Sequence, residues 1–484
     1  MAQKKGNPAV FAKDITEAGL KKNLSIIASA EMEGRETATP GQKKAAAYIE
    51  QQFKDLGLKP GNNGSYQMVY PVYQDSVLSA NLAVNDKQFT YGNDFRANVA
   101  ADINASYAFS EIVFVGQGRM DSLNNDYKGL EVRGKAVLMV AGSGGMTRAA
   151  RMENFNRMNN ASKNGASLVL VLNQGSLTGA VQTKGNMYLS RFKMSIGVQQ
   201  FTISENVAKA IMGSDFQSGT SIASLPSKTY TANILLDFNK QVTVLQSSNV
   251  IGLIEGTDKK DEYLFLTSHY DHLGKRDNVI YYGADDDGSG TASVLEMAKA
   301  FSKATSEGYR PRRTLVFMTV SGEEKGLWGS EYYSEHPIYP IEKTTADLNT
   351  DMVGRIGSDY TGKNNKDSMN YVYLIGDDKL SSDLPGIADK NNNSKLLLDR
   401  RYNDLKDPNR FYYRSDHFNF ARKGIPVLFY FDGVHKDYHQ PSDTVDKINF
   451  DLMEKRVRYI FFTAWDIANR DQMLKRDIPL PVLD

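Results

Sequence analysis

Apolar runs bounded by turn residues recur along the second half of the chain, at Val250–Ile254, Tyr263–Ser268, Thr314–Val320, Leu348–Met352, Tyr371–Ile375 and Val427–Phe431. Between them, Gly290–Lys303, Leu327–Glu335 and Asp451–Asn469 carry apolar residues at helical spacing. Near-continuous apolar strands alternating with helices predict a mostly parallel sheet covered on both faces, with the ligand crevice beyond the carboxyl ends of its strands. Nearer the start, Thr39-Pro40-Gly41 reads as a helix start capped by Thr39. Ala46, Ile49 and Phe53 share its apolar face, and Gly57 closes it.

The character differs between about 76 and 243, where short strands end in turn residues: Glu111–Val115 before Gly116, Lys135–Val140 before Gly142-Ser143-Gly144-Gly145, and Ser167–Leu172 before Asn173. One amphipathic helix between the last two of these is expected to pack on a face of Met152, Phe155 and Met158. The expected organisation is therefore one α/β domain built from residues 1–75 and 244–484, interrupted by a β-rich module, 76–243. The polar run Lys363–Asp367 and the cluster Asn391–Asn393 read as surface loops.

Composition removes several classes of function. A formal net charge of +1, with both signs spread along the 484 residues, gives no electrostatic case for nucleic acid or an anionic membrane surface. No apolar run approaches the roughly 20 residues that span a bilayer. With no cysteine, disulfides, thiolate zinc sites and a cysteine nucleophile are all excluded. The start, MAQKKGNPAVFAKD, has basic residues without a following apolar stretch. The expectation is an exported protein, periplasmic or extracellular, whose leader has been removed; a cytoplasmic one is the alternative.

The chemistry collects at predicted strand ends. Tyr263–Ser268 runs into His269-Tyr270-Asp271-His272, Thr314–Val320 into Ser321-Gly322-Glu323-Glu324, and Leu348–Met352 holds Asp351 near its end; His439 follows Val427–Phe431 within ten residues. GADDDGSG, Gly283–Gly290, sets three adjacent carboxylates among glycines between the first of these strands and its helix. Neighbouring anions raise one another's pKa unless a cation or dense hydrogen bonding offsets them, so the pattern points to metal binding. A calcium EF-hand would need an acid or amide at Gly283 and a Glu at Val294, and has neither. HExxH and GxSxG are also absent.

Five blocks in this order resemble the M28 zinc aminopeptidases and carboxypeptidases: Ser268–His272, GADDDGSG, Ser321–Gly326, Leu348–Met352 and Tyr438–Thr444. Glu33–Glu36 and Thr39–Gly41 extend the likeness more weakly. Val132–Val137 and Asn164–Ala166 resemble the protease-associated (PA) domain that some members carry as an insertion. The resemblance implies a zinc exopeptidase domain of the phosphorylase/hydrolase-like α/β class, with a mixed, mostly parallel sheet. It implies two zinc ions, with cobalt or manganese also fitting the donors. Asp286 would bridge them, joined to Asp287 by a cis peptide; His269 and Asp351 would complete one ion, and Glu324 and His439 the other. Glu323 would be the general base, and Asp271 would hydrogen-bond the far nitrogen of His269.

The implied substrate is a peptide or small amidated molecule, cleaved at its N-terminal residue. The rivals are a carboxypeptidase or dipeptidase using Arg401, Arg410 or Arg414 as a carboxylate clamp, a one-zinc glutaminyl cyclase, and an inactive binding protein. His272, His336 and His435 read as satisfied polar residues, His417 as structural or pocket-lining, and Asp443 as a brace for the loop of His439.

Overall fold

A computed structural model describes residues 6–142, 147–174, 177–190, 197–216, 222, 225–361 and 369–481. The Ser143–Gly145 turn and the Lys363–Asp367 loop lie outside them. The chain divides into two compact units, Met1–Pro71 with Gln246–Asp484, and Val72–Leu245.

In the first unit four parallel strands lie side by side in the order Val427–Phe431, Thr344–Thr350, Lys259–His269 and Arg313–Val320. Antiparallel neighbours flank them: Tyr371–Ile375 beside Val427–Phe431, and the Val250–Ile254 end of strand Lys228–Ile254 beside Arg313–Val320. Alternation along each strand feeds two cores. Leu264, Leu266, Leu315, Phe317, Leu348 and Leu428 face helices Glu17–Ile27, Pro40–Asp55, Gly290–Ser306 and Phe450–Asn469. Phe265, Val316, Met318, Val427 and Phe429 face the opposite way, into a core with Tyr333 and Phe420. With both faces covered, strands Arg313–Val320 and Val427–Phe431 are buried along their whole length, which explains their largely apolar runs.

Two local readings change. The strand expected at Leu348–Met352 runs Thr344–Thr350, because Thr344, Thr345 and Asp347 are buried too. Asp347 is accommodated there by the Thr267 hydroxyl, 2.7 Å away. Thr39 precedes helix Pro40–Asp55 but its hydroxyl donates to the Glu36 carbonyl at 2.6 Å, so it caps no helix N–H.

The second unit repeats the principle on a smaller scale. Ala105–Phe114, Ala136–Val140, Leu168–Leu172 and Gln199–Ile203 form a parallel block, edged by Phe95–Ala97 and by the Lys228–Phe238 part of the long strand, both antiparallel. Helices Arg148–Lys163 and Glu205–Met212 accompany it. The helix expected to bury Met152 and Phe155 leaves them 51% and 65% exposed. Its inner face is instead set by Arg157, which donates to the Val140 carbonyl at 2.7 Å, and by Ala161, with Met158 partly buried.

Candidate metal centre

Parallel pairing aligns the strand ends, and the alignment builds the site. His269 is the last residue of its strand and sits opposite Val320, so Ser321–Glu324 emerge beside it. Thr350, paired with Tyr430, delivers Asp351 at the same edge. GADDDGSG lies across these ends, all three aspartates buried and the Asp286–Asp287 peptide cis. Gly283 (φ +55°) must be glycine: a Cβ there would lie 2.3 Å from the Asp286 carbonyl oxygen and 2.4 Å from the His272 ring.

The five ligand candidates come together around Asp286. Its Oδ1 lies 3.3 Å from His269 Nε2, which is 3.6 Å from Asp351 Oδ1. Its Oδ2 lies 3.0 Å from His439 Nε2, which is 3.1 Å from Glu324 Oε2. Two atoms each 2.0–2.1 Å from a tetrahedral zinc lie about 3.3–3.4 Å apart, so the spacings fit this donor set. The hydrogen bonding fits as well. His269 Nδ1 donates to the Asp271 carbonyl at 3.1 Å, leaving Nε2 with a free lone pair. That nitrogen, Asp286 Oδ2 and Glu324 Oε1 are all buried without a hydrogen-bond partner. Buried polar atoms are paired in the great majority of cases, and three orphans clustered around the Asp286 carboxylate mark a place for cations.

Charge tells the same story. Burial alone would push the Asp286 carboxyl up, but the imidazoles of His269 and His439 outweigh it and hold it well below the usual range. Burial opposes protonation of His439, yet Asp286 and Glu324 push it up to about 10. The cluster attracts positive charge. Glu323, its Oε2 3.9 Å from His269 Nε2, is pushed well above the carboxylate range by burial, with His269 opposing.

The other two aspartates of the run are braces. Asp287 approaches His269 and Asp351, but its oxygens already accept from the main-chain N–H groups of Gly290 (2.8 Å), Met352 (2.9 Å) and His269 (3.1 Å). Asp285 accepts from Gly354 N at 2.7 Å and pairs with His435 Nε2 at 3.1 Å. Asp443 Oδ2 grips the run by accepting from the main-chain N–H groups of Asp285 and Asp286, at 3.0 and 3.2 Å.

Several residues sit differently from the sequence reading. Asp271 reaches His269 through its carbonyl; its carboxylate, 3.6 Å from Nδ1, accepts instead from Thr37 Oγ1 (2.7 Å) and Glu323 N (3.2 Å). His272 is buried with neither ring nitrogen hydrogen-bonded, so it is not a satisfied polar residue. His435 and the exposed His336 do have partners, Asp285 and the Tyr332 carbonyl. His417 is structural: Nε2 meets the Tyr412 carbonyl at 2.8 Å, and burial pushes its pKa down to about 3.

Sequence reasoning gave no role to Arg35 and Ser415. Fully buried Arg35 donates to the carbonyls of Tyr270, Ile27, Tyr282 and Gly283, fastening the His269–His272 turn to the aspartate run. Ser415 Oγ donates to Asp351 Oδ2 at 2.6 Å, leaving Oδ1 to face His269. The block Glu33–Glu36 was the signal for Arg35, and the block Arg414–His417, read for His417 alone, was the one for Ser415.

Beside the cluster a pocket is lined by Asp286, Glu323, Asp351, Met352, Phe411, Arg414, Phe429, Phe431, Val434 and Tyr438. Of the three arginines considered as a clamp, Arg401 pairs with Asp399 at 2.6 Å and Arg410 lies over the Tyr413 ring. Arg414 borders the pocket, donating to the Tyr438 hydroxyl at 3.3 Å.

Comparison with known proteins fits this geometry. Residues 249–463 match the family described as Peptidase family M28. A probable zinc metalloprotease of Pyrenophora tritici-repentis is 26% identical over 263 residues, 47% of this chain and 52% of the relative. A probable glutamate carboxypeptidase of Arabidopsis thaliana is 34% identical over 117 residues, 24% of this chain and 16% of its own. The chain thus spans about half the length of the first relative and less of the second. A zinc aminopeptidase from Bacillus subtilis shares the fold, with a TM-score of 0.53 at 18% identity over 96% of this chain and 99% of that one. Residues 249–463, the part of the chain that matches peptidase family M28, carry all five converging side chains.

Proposed function

We propose that the protein is a zinc-dependent exopeptidase that releases N-terminal residues from peptides. The observation that carries this reading is the convergence of His269, Asp286, Glu324, Asp351 and His439 at 3.0–3.6 Å, with buried ligand atoms left unpartnered. His269, Asp286 and Asp351 would hold one divalent ion, and Asp286, Glu324 and His439 a second. Bound there, such ions supply a water of lowered pKa and polarise a carbonyl. Glu323 borders the pocket, and its main-chain N–H is anchored on the Asp271 carboxylate. It takes the proton of the attacking water and passes it to the leaving amine. The aromatic and aliphatic wall of Phe411, Phe429, Phe431, Val434 and Met352 suits an apolar side chain of the residue being released. On the same reading, residues 76–243 are a protease-associated module inserted in the peptidase domain.

A carboxypeptidase is the second reading, favoured by Arg414. Its guanidinium borders the pocket, and among the described residues it meets Tyr438, Asn409 and the Phe411 ring, none of them a carboxylate. Free, N-blocked and C-amidated peptides, incubated with and without a chelator and followed by mass spectrometry, separate the two. Loss of N-terminal residues that stops with chelator and returns with zinc is expected. Cleavage only of peptides with a free C-terminus selects the second reading, and cleavage indifferent to chelation removes both.

A further inference from the structure

We propose that His272 is a metal ligand, giving the ion beside Glu324 a fourth side chain; this rests on the exopeptidase reading above. His272 is fully buried, three residues past the end of its strand, and neither ring nitrogen has a hydrogen-bond partner. Its Nδ1 lies 2.8 Å from Glu324 Oε1 and 3.8 Å from Asp286 Oδ2, two further atoms without hydrogen bonds. One atom from each of His272, Asp286 and Glu324 falls within 4.8 Å of the other two. The His439 ring stands 5.9 Å away at 71°, so the two imidazoles address Glu324 from different directions, Nδ1 towards Oε1 and Nε2 towards Oε2.

The ring is held in this pose. It packs under Gly283, where any Cβ would lie 2.4 Å from it, and the carbonyl of Gly283 is fixed by Arg35. A histidine serving only to steady Glu324 would be expected to donate a well-aligned hydrogen bond to it and to satisfy its other nitrogen elsewhere. His272 Nδ1 approaches Glu324 Oε1 at 2.8 Å without the alignment of a hydrogen bond, and its Nε2 has no hydrogen-bond partner. Its Nδ1 is turned to the point that Glu324 Oε1 and Asp286 Oδ2 also face, where an unprotonated ring nitrogen would serve as a ligand.

The consequence is inequality between the two positions. His269, Asp286 and Asp351 supply three side chains to one, whereas His272, Asp286, Glu324 and His439 supply four to the other. The four-ligand position therefore fills first and empties last.

The test uses the full chain, stripped with a chelator and titrated with zinc against a chromophoric competitor. Wild type is expected to take up two ions with affinities at least about tenfold apart. His272→Ala should weaken the tighter by about 10–100-fold, on the scale of lost supporting groups at metal sites, and leave the weaker unchanged. Zinc K-edge X-ray absorption of wild type loaded with one equivalent should show two imidazoles per zinc. That measurement decides the matter even if the variant fails to fold. One imidazole per zinc, or unchanged affinities in folded His272→Ala, overturns the proposal while leaving the exopeptidase reading intact. A wild-type chain that binds no zinc overturns both.

Discussion

The two units use one construction to opposite ends. Each sets four parallel strands side by side, with alternating residues feeding two cores. In the first unit the strands end in His269, Ser321–Glu324 and Asp351; in the second they end in Ala141-Gly142, Asn173 and Ser204. Buried charge in the second unit is satisfied. Asp75 and Lys240 form an ion pair with side chains 2% and 8% exposed, Tyr188 donates to the same carboxylate at 2.7 Å, and Arg157 donates to main-chain carbonyls. Buried charge in the first unit is left with open atoms on His269, His272, Asp286 and Glu324. Fold does not separate the two regions; the state of their buried polar groups does.

The contrast breaks most visibly at Glu323. Glu323→Gln keeps the size of the side chain and removes its ability to accept a proton. Turnover is expected to fall by about 10²–10⁴-fold, the usual contribution of a general base, with zinc content nearly unchanged. Near-normal turnover in a zinc-loaded variant would take the base elsewhere. Loss of zinc would instead make Glu323 part of the ligand set, which its 3.9 Å distance from His269 argues against.

The second unit should answer in stability. Lys240→Ala strands the Asp75 carboxylate in a buried place with Tyr188 as its remaining side-chain partner. Removing one partner of a buried pair costs about 3–5 kcal/mol, so denaturant unfolding should move to a markedly lower midpoint, while turnover per folded molecule stays the same. An unchanged midpoint would show that the pair carries no stability.

How much of this was legible in the sequence follows from the same physics. Strands buried on both faces announce themselves as apolar runs, so Tyr371–Ile375 and Val427–Phe431 begin and end where those runs do. A strand that buries polar residues, as Thr344–Thr350 does with Thr344, Thr345 and the Asp347 that Thr267 of the neighbouring strand holds, hides its first half. The ligand candidates were visible because parallel strands end at one edge and because the motifs there are contiguous. His272 was misread because partner count is a three-dimensional property: the residue beside it, Asp271, is fully engaged by Thr37 and Glu323. The role of Ser415 was hidden for a related reason, since it lies 64 residues from the Asp351 it orients.

Helix Arg148–Lys163 gives the smallest expected effect and the sharpest check on where a pattern misleads. Met152, Phe155 and Met158 recur every three residues, which drifts around a helix of 3.6 residues per turn, so the three do not share one face. The structure turns Met158 inward with Arg157 and Ala161 and leaves Phe155 65% exposed. Were Phe155 a core residue, its truncation would cost about 3–5 kcal/mol. As a surface residue, Phe155→Ser should shift unfolding stability by less than about 0.5 kcal/mol. Denaturant melts of the two proteins, with equal slopes, separate these outcomes by several kcal/mol. A large loss would place Phe155 in the core and restore the face that the sequence pattern suggests.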